Sequence, residues 1–220
     1  MLRIGFVGWR GMVGSVLMAR MMEEKDFTGF EPVFFSTSDV GGKGPDMGME
    51  IPSLQDAFNP ALLADMDVVV TCQGGDYTKS VYPAVRKQGW NGYWVDAASA
   101  LRMQEDAIIV LDPVNRSVID QALLSGVKNY VGGNCTVSLM LMALSGLLAS
   151  GYVEWISTMT YQSASGAGAK HMKELIAQMK EIGDASRPLL DDPASTGIEL
   201  DRMVTRTVRD HSFPTDNFLA

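Results

Sequence analysis

The sequence predicts an α/β fold built on a parallel sheet, and three observations carry the prediction. Short apolar, β-branched runs alternate with segments of helical period. The first run passes through a glycine-rich turn straight into helix-compatible sequence. Small polar residues recur where runs end, at Gly8, at Gln73-Gly-Gly75 and at Asp96-Ala-Ala-Ser99. A parallel sheet covered on both faces gathers such strand ends along one edge, where ligands bind.

Leu2 to Val7 reads as the first strand, and Val13, Val16, Leu17 and Met21 are expected to line one face of the helix that follows. Pro32 to Phe35, Asp67 to Cys72, Tyr93 to Asp96 and Ile108 to Leu111 read as further strands. Helices are expected over Tyr77 to Gln88 and Pro113 to Leu124. After Asn129-Tyr-Val-Gly-Gly133 the texture changes. A helix from about Cys135 to Leu148 is followed by an expected strand, Val153 to Tyr161. Next comes an amphipathic helix with Met172, Leu175, Ile176 and Met179 on one face, and Thr196 and Glu199 have capping-box spacing for a last helix. A domain boundary is therefore placed near residue 133. A Rossmann-like nucleotide-binding domain over 1–133 precedes the start of an α+β catalytic and dimerisation domain over 134–220.

Composition bounds the function. A chain of 220 residues with 46% hydrophobic and 20% charged residues can bury a sizeable core. A net charge of −8 argues against a nucleic-acid or anionic-membrane surface, which needs clustered Lys and Arg. The run from Val137 to Ala149 falls short of the ~18 apolar residues of a membrane span. Met1 to Gly8 has no signal-peptide layout, and two distant cysteines suit a reducing compartment, so a soluble cytoplasmic protein is expected.

The first turn is Gly8-Trp-Arg-Gly11-Met-Val-Gly14. Small residues let backbone approach a pyrophosphate at a helix N-terminus. A tight structural turn is the alternative, and the strand before and helix after favour phosphate. The second strand ends in Phe35-Ser-Thr-Ser38, where a NAD site usually carries an acid for the ribose hydroxyls. Hydroxyls there, with Arg10, suit a 2′-phosphate and favour NADP; a merely polar loop is the alternative, and Asp39 lies close by.

Cys72 closes an apolar run and is expected to be buried and inert, with Gln73 facing the cofactor. Cys135 stands differently. Gly132 and Gly133 allow a turn, Asn134 is a favoured N-cap, and Cys135 should open a helix. Helix N-termini favour the thiolate, which is the nucleophile, and their N–H groups could hold an oxyanion. The alternative is an ordinary buried cysteine. A nucleophilic thiol beside a nicotinamide points to aldehyde oxidation through a covalent thioester.

These residues resemble the bacterial aspartate-β-semialdehyde dehydrogenases. The matching stretches are Gly8-Trp-Arg-Gly-Met-Val-Gly-Ser-Val-Leu17, Pro32-Val-Phe-Phe-Ser-Thr-Ser38, Thr71-Cys-Gln-Gly-Gly-Asp-Tyr-Thr78, Gly92-Tyr-Trp-Val-Asp-Ala-Ala-Ser99, Leu111-Asp-Pro-Val-Asn115 and Gly132-Gly-Asn-Cys-Thr-Val-Ser-Leu-Met-Leu141. The likeness continues through Tyr161-Gln162 and Ser165-Gly166 almost to the end.

The resemblance implies NADP- and phosphate-dependent interconversion of aspartate semialdehyde and aspartyl phosphate, feeding lysine, threonine, methionine and isoleucine synthesis, by a homodimer. It implies Cys135 as nucleophile, Gln162 as the residue positioning substrate and Arg102 as the phosphate ligand. Gly8, Arg10, Gly11, Met12, Val13, Thr37, Ser38, Gln73, Ser165, Gly166 and Pro193 match the family's cofactor contacts. Read without the resemblance, Arg102 is a solvated loop charge and Gln162 stands at a strand end. The family's general base is a histidine beyond residue 220, which neither His171 nor His211 matches; Ala100 stands where relatives carry a hydroxyl. The expectation is an amino-terminal portion of the enzyme, with apolar surface exposed on the helix from Cys135 and the strand from Val153.

Overall fold

The structure, a computed structural model, describes residues 1–216. The chain end Asn217–Ala220, where the resemblance is expected to run on, lies outside the described residues. Among the described residues seven parallel strands form one sheet: β1 (Arg3–Val7), β2 (Glu31–Ser36), β3 (Gln55–Asp56), β4 (Val68–Thr71), β5 (Tyr93–Asp96), β6 (Ala107–Val110) and β7 (Asn129–Gly132). Their order across the sheet is β3-β2-β1-β4-β5-β7-β6. The chain leaves β1 to one side for β2 and to the other for β4, the switch point at which such sheets bind ligands.

Helices α1 (Met12–Glu23), α2 (Pro60–Ala64), α3 (Gly75–Lys87) and α4 (Arg116–Leu124) connect the strands. Alternation within each strand divides the core. Val7, Val33 and Phe35 join Val69, Trp94 and Val131 in one cluster, while Phe6, Phe34, Met18 and Phe27 form the other. Helix α3 seals the first cluster with Tyr77, Val81 and Val85 at four-residue spacing. Pro32 is tolerated inside β2 because β3 pairs only with Phe35 and Ser36, so its missing N–H faces no neighbour.

The far edge of the sheet is held by Arg86. Its Nη1 donates to the carbonyls of Trp90 (3.1 Å) and Gly92 (2.9 Å), and its Nη2 to Asn129 Oδ1 (2.8 Å). The guanidinium also lies 4.5 Å from the centre of the Trp90 ring. Asn129 Nδ2 in turn donates to Asp106 Oδ2 at 2.9 Å. One cation thereby ties α3, the β4–β5 region and the start of β7.

Two compact units are present, Met1–Thr158 and Met159–Ala220. The first continues past β7 into α5 (Cys135–Ala149). The second, among its described residues, is helical: a 3-10 turn at Ala164–Ala167, then α6 (Ala169–Leu190) and α7 (Gly197–Val208). Thr196 and Glu199 close a reciprocal capping box on α7, as their spacing predicts.

Several expectations need correction. Val153 to Tyr161 forms no strand; Trp155, Met159 and Tyr161 are exposed. A strand needs a partner ladder, and none is paired with this segment among the described residues. The face of α1 that packs inward carries Gly14 and Met18, whereas Val13 and Val16 are exposed. In α6, Met172, Leu175, Ile176 and Met179 do share a side, and that side is exposed. Strands β3 and β7 were not anticipated: β3 is two residues long, and β7 carries Asn129 and two glycines' worth of turn signal at its end.

Replacing Arg86 with Ala leaves buried acceptors unpaired and removes the ring contact. We expect a loss of about 2–4 kcal/mol, seen as a lower urea midpoint. Arg20→Ala, which breaks only exposed ion pairs with Glu23 and Glu24, should cost less than about 1 kcal/mol.

Candidate active site

Because every strand runs the same way, the ends of β1, β2, β4, β5 and β7 deliver their following residues to one edge. The turn after β1 is built on close backbone approach. Gly8 has φ +74°, and a Cβ there would lie 2.6 Å from the carbonyl carbon of Cys72 and the nitrogen of Gln73. A Cβ on Gly14 would lie 2.2 Å from the Gly8 oxygen. Gly11 N–H closes the turn on Gly8 O at 3.1 Å. No side chain fits at these two crossings, and the cradle they leave suits a pyrophosphate over the start of α1.

Arg10 leans from this turn toward the end of β2. Its Nη2 donates to Ser36 Oγ (3.1 Å) and Ser38 Oγ (3.3 Å), and its Nη1 lies 3.5 Å from Asp39 Oδ2. Ser36, buried, also accepts the N–H groups of Ser38 (3.3 Å) and Asp39 (2.9 Å). Trp9 Nε1 donates to Phe35 O at 3.2 Å. A small pocket lies between the Gly8–Gly11 turn, Phe35 to Thr37 and Gln73. Sequence reasoning named Thr37 and Ser38 and passed over Ser36 and Trp9. A serine as the last residue of an otherwise apolar strand was the available signal. Met12 and Val13 open α1 beside the turn with exposed side chains.

The two cysteines differ in exposure, and Cys72 is less buried than expected. Cys72, just past β4, is half-buried, and burial first, then the charge of Asp96, pushes its thiol up to about 11. Asp96 is itself buried and accepts from Thr78 Oγ1 (2.7 Å), Ala98 N–H (2.7 Å) and Trp94 Nε1 (3.3 Å). Burial raises its carboxyl, while these bonds and the Arg102 charge pull it down. Cys135 is exposed and is the first residue of α5. Asn134 caps that helix, its Oδ1 accepting Val137 N–H at 3.0 Å.

Arg102 is no solvated loop charge. Its Nε donates to Gly132 O (2.8 Å), and its Nη2 to Gly133 O (3.0 Å) and, at 3.5 Å, Ala97 O. The loop after β5 and the turn before Cys135 are thus joined. Two spacings of about 4.8 Å separate β4 from β7, and four separate β2 from β7. Ser38 and Cys135 therefore stand on the order of 20 Å apart along the edge, comparable with an extended dinucleotide.

The second unit gathers Gln162, Ser165 and Gly166 in one turn. Ser163 caps it, and Gln162 lies over Gly166, where a Cβ would come 2.3 Å from Nε2. Pro193 follows the other end of α6, a 22-residue helix of about 33 Å, so it is not brought to that turn. Among the described residues no helix is long and apolar enough to cross a membrane.

A parallel sheet with a glycine turn at its switch point, a cation over the second strand end and an exposed thiol on the same edge defines a dinucleotide-binding domain. Residues 3–122 match the semialdehyde dehydrogenase NAD binding domain, and residues 144–219 match the semialdehyde dehydrogenase dimerisation domain. The chain belongs to the semialdehyde dehydrogenase family. It is similar to an aspartate semialdehyde dehydrogenase from Francisella tularensis, at 44% identity and TM-score 0.86 over 98% of this chain and 58% of that one. Aspartate semialdehyde dehydrogenase II from Vibrio cholerae, solved with ASA, shares the fold at 22% identity and TM-score 0.67, covering 84% of this chain and 53% of that one. A probable aspartate-semialdehyde dehydrogenase from Pseudomonas aeruginosa does so at 18% identity and TM-score 0.60, with the same coverage of 84% and 53%. The chain thus spans less than two thirds of the length of these relatives.

Burial also lifts the Tyr77 hydroxyl well above its ordinary value, so the fold favours the neutral forms of both Cys72 and Tyr77. The stability contributed by Cys72 is complete below the ordinary thiol value of 9.0 and is lost as pH rises through about 11. The urea midpoint should hold to about pH 9 and then fall, and Cys72→Ala should make the fall shallower. An alkaline decline unchanged by Cys72→Ala would contradict this assignment.

Proposed function

We propose that the protein containing this chain catalyses the NADP- and phosphate-dependent interconversion of L-aspartate 4-semialdehyde and L-4-aspartyl phosphate. The observation that carries the proposal is the exposed Cys135 at the start of α5, on the sheet edge that also carries the glycine turn. Such a reaction belongs at the head of lysine, threonine, methionine and isoleucine synthesis, in the cytoplasm. A boundary near residue 133, after β7, separates the part that binds nucleotide from the part that completes the catalytic and dimerisation domain. The match of 144–219 to a dimerisation domain supports a homodimer.

The cradle at Gly8 and Gly14 fits a pyrophosphate, with Gly11, Met12 and Val13 at the helix start. Arg10, Thr37 and Ser38 would hold the 2′-phosphate of NADP, and Gln73 would face the ribose–nicotinamide half. Ser165, Gly166 and Pro193 are the further cofactor contacts proposed from the second unit. When bound, the nicotinamide takes up or returns hydride. The thiolate of Cys135 bonds to the aldehyde carbon, and N–H groups at the start of α5 stabilise the resulting oxyanion. Loss of hydride from that carbon leaves an aspartyl thioester on Cys135. A phosphate oxygen, held by Arg102, attacks the thioester carbonyl; the C–S bond breaks and the thiolate is regenerated. Gln162 orients the substrate beside the sulfur. An assay of NADPH formation from aspartate semialdehyde, NADP and phosphate separates this reading from that of a catalytically incomplete fragment, which would bind NADP and dimerise without turnover.

Cys135→Ala should abolish NADPH formation from aspartate semialdehyde, NADP and phosphate while leaving NADP affinity within about twofold; retained turnover would remove Cys135 as nucleophile. Ser38→Asp should shift the ratio of NADP to NAD affinity toward NAD by about tenfold or more, since it sets a carboxylate against the 2′-phosphate beside Arg10. An unchanged ratio would remove the 2′-phosphate assignment.

A further inference from the structure

The turn that presents Cys135 has little to hold itself in shape. Gly132 ends β7, and a Cβ on Gly133 would come 2.4 Å from Ser138 Oγ, so that hydroxyl would have to turn away. Two consecutive glycines leave the backbone with more freedom than any other pair. Gly132 is paired with Val110 in the β6–β7 ladder, and the carbonyls of both glycines are held by one side chain from another strand's loop. Arg102 donates Nε–H to the Gly132 oxygen at 2.8 Å and Nη2–H to the Gly133 oxygen at 3.0 Å. The planar fork of a guanidinium spans two successive carbonyls in this way, which a lysine ammonium cannot reproduce.

The electrostatic consequence follows from peptide geometry. In a trans peptide the carbonyl and N–H point opposite ways, so pinning both oxygens on Arg102 turns the N–H groups of Gly133 and Asn134 away from it. The guanidinium also covers the negative ends of the two dipoles that precede the thiol. Downstream, Asn134 O accepts Ser138 N–H at 2.8 Å and Asn134 Oδ1 accepts Val137 N–H, so α5 begins cleanly at the sulfur-bearing residue.

We propose that Arg102 is the positioning residue of Cys135: by clamping the carbonyls of Gly132 and Gly133 it fixes the turn that presents the sulfur, independently of any anion the guanidinium binds. This rests on the reading of Cys135 as nucleophile and goes beyond a phosphate-binding role. Arg102→Gln takes the guanidinium off both carbonyls, so the turn no longer holds the sulfur in one place and Cys135 reacts more slowly.

The test is the rate of iodoacetamide alkylation of each cysteine against pH, read by mass spectrometry on the full chain in phosphate-free buffer. Wild type, Arg102→Gln and Arg102→Lys are compared. Wild-type Cys135 is expected to react faster than Cys72 at neutral pH. In Arg102→Gln its rate there falls about tenfold. Arg102→Lys, which keeps the charge and can bond one carbonyl, falls between. Cys72 should keep one profile throughout, which reports an intact fold. A Cys135 profile in Arg102→Gln identical to wild type overturns the proposal and leaves Arg102 with a phosphate role only. An ordinary, slow Cys135 in wild type instead overturns the nucleophile reading. If Arg102→Gln unmasks Cys72, marking a damaged fold, Arg102→Lys decides: an intermediate Cys135 rate supports the clamp and a wild-type rate overturns it.

Discussion

The common direction of the seven strands is the constraint on which the rest of the first unit depends. Because β1, β2, β4, β5 and β7 all end on one edge, residues as far apart in sequence as Gly8 and Cys135 come to lie along a single rim. A single antiparallel strand among them would carry its following loop to the opposite edge. The pairing of β5 with β7 matters most, since it sets the loop holding Arg102 beside the turn holding Cys135. That pairing is fixed in register by Trp94 opposite Asn129 and Asp96 opposite Val131. Trp94 and Val131 are fully buried, and a slip of one residue would turn them outward.

The contrast between the two thiols shows how one edge can hold two chemistries. Cys72 follows a strand whose end is packed under Gly8 and lies near the buried carboxylate of Asp96, so its proton is held tightly. Cys135 follows a strand whose end opens through two glycines into a helix start, with a guanidinium on the carbonyl side of the turn. The residues are the same; burial and a neighbouring carboxylate act on Cys72, whereas Cys135 is exposed at a helix start. At the other end of the rim, Arg10 is engaged by two hydroxyls and a distant carboxylate, partners weak enough to yield to a phosphate.

Most of this arrangement was legible in the sequence, for reasons that can be traced to particular residues. β1 and β2 are near-continuous apolar runs, and the glycines at 8, 11 and 14 leave few alternatives for the turn between β1 and α1. Asn134 announced the start of α5, and Thr196 with Glu199 that of α7. What was missed depends on partners that local pattern does not carry. β7 reads as turn material because Asn129 and Gly132 flank only two apolar residues, yet it completes a ladder between β5 and β6. Val153 to Tyr161 has strand composition without a strand partner among the described residues. Val13 and Val16 hold helical spacing, and the tight crossing at Gly14 rotates α1 so that Gly14 and Met18 face the sheet instead. The carbonyl bonds of Arg102 reach over 30 residues and have no sequence signature.

The central claim is that one sheet edge carries both ends of a dinucleotide reaction centre. A crystal structure of the protein with NADP bound tests it most directly. The account predicts the 2′-phosphate on Arg10 and Ser38, the pyrophosphate over the turn from Gly8 to Gly14, and the nicotinamide ring facing the sulfur of Cys135. A dinucleotide lying elsewhere, or one whose nicotinamide points away from Cys135, would contradict it.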